Sequence, residues 1–195
     1  MPFRAKFIEA LTLLATAAAR MESKGLKPPI LVGGAAVELY TGGAVTSGDF
    51  DFVSNWQSEF FAELQALGFE RPTKPGWLYR SLLHRELDFG VQVVSNPLMD
   101  GHTDPSRIKV IDLEGYVDDK PLKLQVIPVE DLIADRIAQA LSGSRIEKTM
   151  QNQAVRLYQL ADSLDNGYLD SRIQTETGNA ASLETLVGWV KTCGS

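Results

Sequence analysis

Apolar residues recur at helical spacing at the start of the chain, then give way to short continuous runs. Phe7, Leu11, Leu14, Ala15 and Ala18 fall three and four residues apart, on one face of a helix. Gly25 and Pro28-Pro29 end that pattern, so a helix is expected from about Pro2 to Ser23. The run "ILV" at 30–32 predicts a short buried strand, Gly33-Gly34 a turn, and "AAVELY" a second helix. After the loop "TGGAVTSG", the stretch "DFDFV" at 49–53 predicts another strand. "WQSEFFAELQALG" places Phe60, Phe61, Leu64 and Leu67 on one helical face, with Gly68 at its end. "WLYRSLLHRELDFGVQVVS" predicts two strands, the better one over 87–95. "RIKVIDLEGYVDDKPLKLQVIP" predicts two more, with a turn near Asp118-Asp119.

Past Pro128 the period becomes helical. Val129, Leu132, Ile133, Ile137, Ala140 and Leu141 form one stripe. Ala154, Leu157, Tyr158, Ala161 and Leu164 form a second, and two weaker helical segments follow. The pattern predicts an α/β (α+β) fold. A mixed sheet flanked by helices occupies residues 1–128, and a C-terminal helical region, 129–195, packs on that core without a linker.

Composition narrows the class. The 195 residues are 44% hydrophobic, an ordinary globular content, with a formal net charge of -6. That acidic balance argues against indiscriminate nucleic-acid binding, though not against a local basic patch. The single cysteine, Cys193, excludes a disulfide framework and a Cys-rich zinc site, and it fits a reducing, cytoplasmic setting. "ALTLLATAAA" resembles a signal-peptide core, but Glu9 interrupts the run and the spacing is amphipathic. No stretch approaches the length of a membrane span.

The chemistry concentrates in "ILVGGAAVELYTGGAVTSGDFDFV", residues 30–53. A carboxylate in an apolar strand is costly unless paired, hydrogen-bonded or bound to metal. Strand alternation sends Asp49 and Asp51 to one face and Phe50 and Phe52 to the other. The carboxylates then lie roughly 7 Å apart along the strand. Side chains so placed can converge on Mg²⁺, and two such ions about 3.5–4 Å apart serve in-line phosphoryl displacement. The N-terminus of the helix after Gly33-Gly34 offers free N–H groups to phosphate, and Ser47 adds a hydroxyl. Each short motif alone is most often a turn or a surface edge; their conjunction carries the argument. No dinucleotide or Walker glycine motif is present.

These residues resemble the polymerase-beta-type nucleotidyltransferase superfamily, in which Gly-Gly or Gly-Ser after a strand precedes a helix and an Asp-x-Asp strand. Gly33-Gly34 and Asp49-Phe50-Asp51 match that hallmark. "TSGDFDFV" and "VIPVEDLIADRIAQA" further resemble a bacterial subgroup of small nucleotidyltransferase-like proteins, some related to AbiEii-type toxins. The resemblance implies a Mg²⁺-dependent transferase that moves an NMP from an NTP to a hydroxyl of RNA (such as tRNA), protein or a small molecule. A toxin role would add a cognate antitoxin protein. The resemblance also implies a third carboxylate on a later strand. Glu86, Asp88 and Gln92 share parity if that strand is continuous, and Asp88 is the candidate catalytic and metal-binding residue. Gln92 lies where relatives would carry Glu or Asp and counts among the substrate-binding candidates; if it occupies the third position, the base is missing. Thr46 stands where relatives often have Arg. The competing expectation is therefore a catalytically degenerate module that senses nucleotide or binds a partner.

Two cationic stretches remain. Arg71, Lys74, Arg80 and Arg85, with Trp77 and Tyr79 among them, fit a base-stacking surface less well than a solvated hairpin. Arg136, Arg145, Lys148 and Arg156 either close over triphosphate or complement acidic helix faces such as Glu130 and Asp131. His84 and His102 are expected at surface or turn positions.

Overall fold

The computed structural model describes residues 3–72, 81–95 and 101–193. The chain forms two compact units, one of residues 1–36 and 46–127, the other of 37–45 and 128–195.

The first unit is built on a six-stranded mixed sheet. Its strands are β1 (Ile30–Val32), β2 (Asp49–Val53), β3 (Ser81–His84), β4 (Phe89–Ser95), β5 (Lys109–Val117) and β6 (Lys120–Val126), in the order β3-β4-β2-β1-β6-β5. β1 runs antiparallel to β2 and parallel to β6, and β2 runs parallel to β4. The sheet edges are two antiparallel hairpins, β3–β4 and β5–β6. Asp118 and Asp119 close the second hairpin with φ of 50° and 61°, the geometry of a tight two-residue turn.

Register divides the sheet into two faces. Leu31, Phe50, Phe52, Val91, Leu122, Leu124 and Val126 share one face and are buried. Helix α1 (Ala5–Ser23) packs against it through Phe7, whose ring stacks on Phe50 at 5.3 Å, and Phe89 completes the cluster 5.1 Å from Phe50. Helix α3 (Gln57–Ala66) adds Phe60 against Phe52 at 5.1 Å. The expected α1 stripe is buried throughout: Phe7, Leu11, Leu14, Ala15 and Ala18 are at most 1% exposed. Phe50→Ala is expected to remove about 3–5 kcal/mol of stability by opening a void in this cluster. Denaturant unfolding followed by tryptophan emission measures it.

Helix α2 (Gly33–Tyr40) begins in the first unit and runs into the second. The second unit holds α4 (Val129–Leu141), α5 (Lys148–Leu160), α6 (Asn166–Thr177) and α7 (Leu183–Cys193). The Glu147 carboxylate caps α5 by accepting from the Thr149 and Met150 N–H groups, which holds its carboxyl below the usual range. Asp165 caps α6 in the same way, accepting from Tyr168 N–H. Helix α5 stops at Leu160, so Ala161 and Leu164 fall in the connection rather than on its stripe.

Several charges of this unit lie inside it. Glu130 and Asp131 are both buried. Asp131, 0% exposed, accepts from Arg172 Nε at 2.6 Å and Tyr168 Oη at 2.8 Å. Burial, with the Glu130 and Asp131 carboxylates next in weight, pushes the Tyr40 phenol above its ordinary value. Arg136 is buried too, its guanidinium against Gln139, Met150 Sδ and Asp135. Asp131→Ala is expected to cost roughly 3–5 kcal/mol, because it leaves the Arg172 guanidinium buried without this partner. Thermal unfolding should show that loss, with Asp131→Asn intermediate.

Candidate active site

The carboxylates of β2 stand where alternation sends them. Phe50 and Phe52 are fully buried, whereas Asp49 is exposed and Asp51 half-buried on the opposite face. Register then brings Asp51 to the head of α2. Val32, the last residue of β1, pairs with Asp51, and the next residue, Gly33, turns the chain at φ +66°. That φ favours glycine, and space demands it as well. A Cβ on Gly33 would overlap the Asp51 carboxylate and lie 2.8 Å from Asp51 Cβ.

Two other glycines leave room in the same way. A Cβ on Gly34 would lie 2.7 Å from Ser47 Oγ, and one on Gly90 would lie 2.8 Å from Asp49 Oδ1. Gly90 is the β4 partner of Asp49. The absent side chains therefore first make room for Asp51, Ser47 and Asp49. The α2 N-terminus, the carboxylates and the Ser47 loop meet at one end of the sheet. The Ser47 hydroxyl donates to the Asp49 carbonyl at 2.9 Å and accepts from the Asp49 N–H at 3.4 Å, which fixes the loop entering β2.

Gln92 sits directly opposite Asp51 on β4 and donates from Nε2 to Asp51 Oδ1 at 2.7 Å. Asp88 does not share that strand. Residues 85–88 form the turn of the β3–β4 hairpin, closed by a hydrogen bond from Asp88 N–H to the His84 carbonyl at 2.8 Å. Asp88 adopts φ +59°, a conformation that Asp tolerates better than most residues. The expected continuous strand carrying Glu86, Asp88 and Gln92 is thus broken before Phe89, and parity does not link Asp88 to Gln92. Among the described residues, no three His, Cys, Asp or Glu side chains gather closely enough to hold a metal ion.

One cation near the site had no sequence signal. Arg4, just before α1, donates from Nη2 to the Ser47 carbonyl at 2.7 Å, and its guanidinium lies 5.3 Å from the Phe89 ring centroid. It lies 43 residues from Ser47 in the chain, so only the fold brings the two together. Lys74, Trp77, Tyr79 and Arg80 lie outside the described residues. Arg85 pairs with Glu70, and His84 packs edge-on against Phe69 at 5.1 Å.

The fold defines a class. This is a nucleotidyltransferase-like fold: a mixed sheet with its flanking helices, followed by a C-terminal helical region. The chain is similar to the solved structure of ANT(2″)-Ia in complex with adenylyl-2″-tobramycin. The TM-score is 0.56 at 14% identity, over 89% of this chain and 99% of that one. It is also similar to an antigenic nucleotidyltransferase-like protein from Paracoccidioides brasiliensis, with TM-score 0.55, 16% identity, and coverage of 98% and 95%. JHP933 from Helicobacter pylori matches with TM-score 0.54 at 12% identity, over 97% of this chain and 81% of that one. No family model matches the chain, and no curated protein matches it by sequence. No described helix is long and apolar enough to cross a membrane.

Proposed function

We propose that this protein binds an NTP with Mg²⁺ at Asp49 and Asp51 and transfers its NMP to a hydroxyl acceptor. The observation that supports this reading most is the placement of two carboxylates on one face of β2, against the glycine turn that opens α2. The donor set suits Mg²⁺, which favours one or two carboxylates completed by substrate phosphates and water. Asp49 and Asp51 would hold the ion, whose chemistry would be to neutralise phosphate charge as it develops.

The chain's own groups supply the rest. Gly33 and Gly34, at the α2 N-terminus, and Ser47 line the place for the phosphates, with Arg4 as the nearby cation. In the transfer, an acceptor oxygen bonds to the α-phosphorus as the bond to the α–β bridging oxygen breaks. Pyrophosphate leaves with that electron pair, and the acceptor's proton passes to solvent, to which Asp49 is open. Asp88, in its turn two residues before Gly90, is the further acidic candidate at this end of β4. The single cysteine favours action in a reducing compartment such as the cytoplasm. Membership of an AbiEii-like subgroup would make the chain a toxin with a cognate antitoxin and tRNA among its acceptors. Growth arrest on expression, relieved by replacing both aspartates, tests that narrower reading.

Gln92 favours a second reading. A neutral amide sits opposite Asp51 and occupies one of its oxygens, so the site carries less negative charge than three carboxylates would provide. A nucleotide-sensing module would bind Mg²⁺ and NTP there and not turn over. Calorimetry with pyrophosphate detection separates the two: Mg²⁺-dependent NTP binding with pyrophosphate release supports transfer, and binding alone supports sensing. Gln92→Ala is expected to remove this hydrogen bond to Asp51 and weaken Mg²⁺·NTP binding by about 10–150-fold, from loss of a hydrogen bond to a charged group worth roughly 1.5–3 kcal/mol.

A further inference from the structure

The face that carries the carboxylates does not end at Asp51. Ile30 and Val53 pair across β1 and β2 two residues along from Val32 and Asp51, and Gln125 pairs with Ile30 from β6. All three therefore share the Asp51 face, with Val53 roughly 7 Å from Asp51 along the strand. A cleft of about 490 Å³ opens over them, and the segment entering β5, including Ile108, lines its other side. That volume lies within the range of small-molecule sites, ~300–1,000 Å³.

We propose that this cleft is the acceptor pocket and that the acceptor is a small hydroxylated molecule without net positive charge. The inference rests on the proposed transfer and names its acceptor class. Ile30, Val53 and Ile108 offer apolar surface for the body of the ligand. The amides of Asn55 and Gln125 offer donors and acceptors for hydroxyl or carbonyl groups. Among the described residues, Lys27 is the one charged side chain in the lining. A polyamine or aminoglycoside needs carboxylates to replace its hydration, and the described residues of the lining offer none. An RNA end brings several phosphates, and one lysine neutralises only one of them. The charge pattern fits a neutral sugar or nucleoside, or the same body with a single phosphate, held about 7 Å from the carboxylates. A ligand of that size would lie along the strand with one hydroxyl toward Asp51.

The test uses the full chain and saturation-transfer NMR with uridine, ribose 5-phosphate and glycerol 3-phosphate. Tobramycin and a tRNA acceptor-stem minihelix serve as comparators. At least one of the three small probes is expected to bind more tightly than either comparator. Its affinity should fall at least tenfold in Asn55→Trp, which fills the cleft from an exposed position, and in Gln125→Leu, which removes an amide without adding bulk. Wild-type melting temperatures in both variants exclude misfolding as the cause. Tighter binding of tobramycin or the minihelix overturns the proposal. So does binding that neither variant weakens, or no binding of the three probes at millimolar concentration. Calorimetry of Mg²⁺·ATP on the wild-type protein separates the layers. ATP binding without probe binding defeats the pocket alone; probe binding without ATP binding defeats the transfer reading, and the cleft's acceptor role with it.

Discussion

Replacement of Asp49 and Asp51 together by Asn is expected to abolish Mg²⁺-dependent NTP binding and any transfer from an α-labelled NTP. Asn keeps the size of Asp and retains one carbonyl oxygen, so Gln92 Nε2 keeps an acceptor at position 51 and the β2–β4 pairing has no reason to change. What disappears is two formal negative charges where a divalent cation would sit. A hard cation bound partly through substrate phosphates depends on those charges to offset the loss of its water. Removing a single electrostatic stabiliser from an active site costs about 10²–10³-fold in rate. The double variant should therefore fall at least that far, to background. Circular dichroism should be unchanged, which separates loss of chemistry from loss of fold. Undiminished transfer in the double variant would place the chemistry elsewhere.

Gly33→Ala is expected to damage both fold and site. The backbone at +66° costs an L-residue about 1–2 kcal/mol on its own. The methyl group then meets the Asp51 carboxylate, held from one side by the β1–β2 ladder and from the other by Gln92. Either the carboxylate moves or the turn opens, and each displaces Asp51 from the α2 N-terminus. Gly25→Ala is the matched control: its φ is +76°, and no atom lies within 4 Å of the added Cβ. Urea unfolding should show a loss of about 1–2 kcal/mol for Gly25→Ala and a larger one for Gly33→Ala. Only Gly33→Ala should impair Mg²⁺·NTP binding. Equal losses in the two variants would mean that the Gly33–Asp51 approach carries no special weight.

Features governed by local periodicity were legible in the amino-acid order. The alternation in "DFDFV" predicted which side chains enter the core, and the strand–glycine–helix order around Gly33 is observed. Features set by register or distant packing were not. Nothing near Gln92 in the chain shows that it faces Asp51, because that pairing depends on how β4 aligns with β2. Parity predicted that Asp88 lies on one strand with Gln92, but the hairpin closes at Asp88, and a turn cancels a parity argument. Arg4 meets Ser47 only because α1 packs across the sheet. Asp131 and Arg136 are ordinary surface residues by composition. Their burial follows from partners on other helices or turns, Arg172 and Tyr168 for the first and Met150 for the second. Of the cationic stretch from Arg136 to Arg156, at least Arg136 spends its charge inside its own helical unit, against Asp135 and Gln139.

The most direct measurement is anomalous diffraction from crystals grown with Mn²⁺ and a non-hydrolysable NTP analogue. The account predicts manganese density between Asp49 and Asp51, with the analogue's phosphates against the Gly33-Gly34 turn. Manganese or nucleotide bound elsewhere, with neither carboxylate touching the metal, would contradict it.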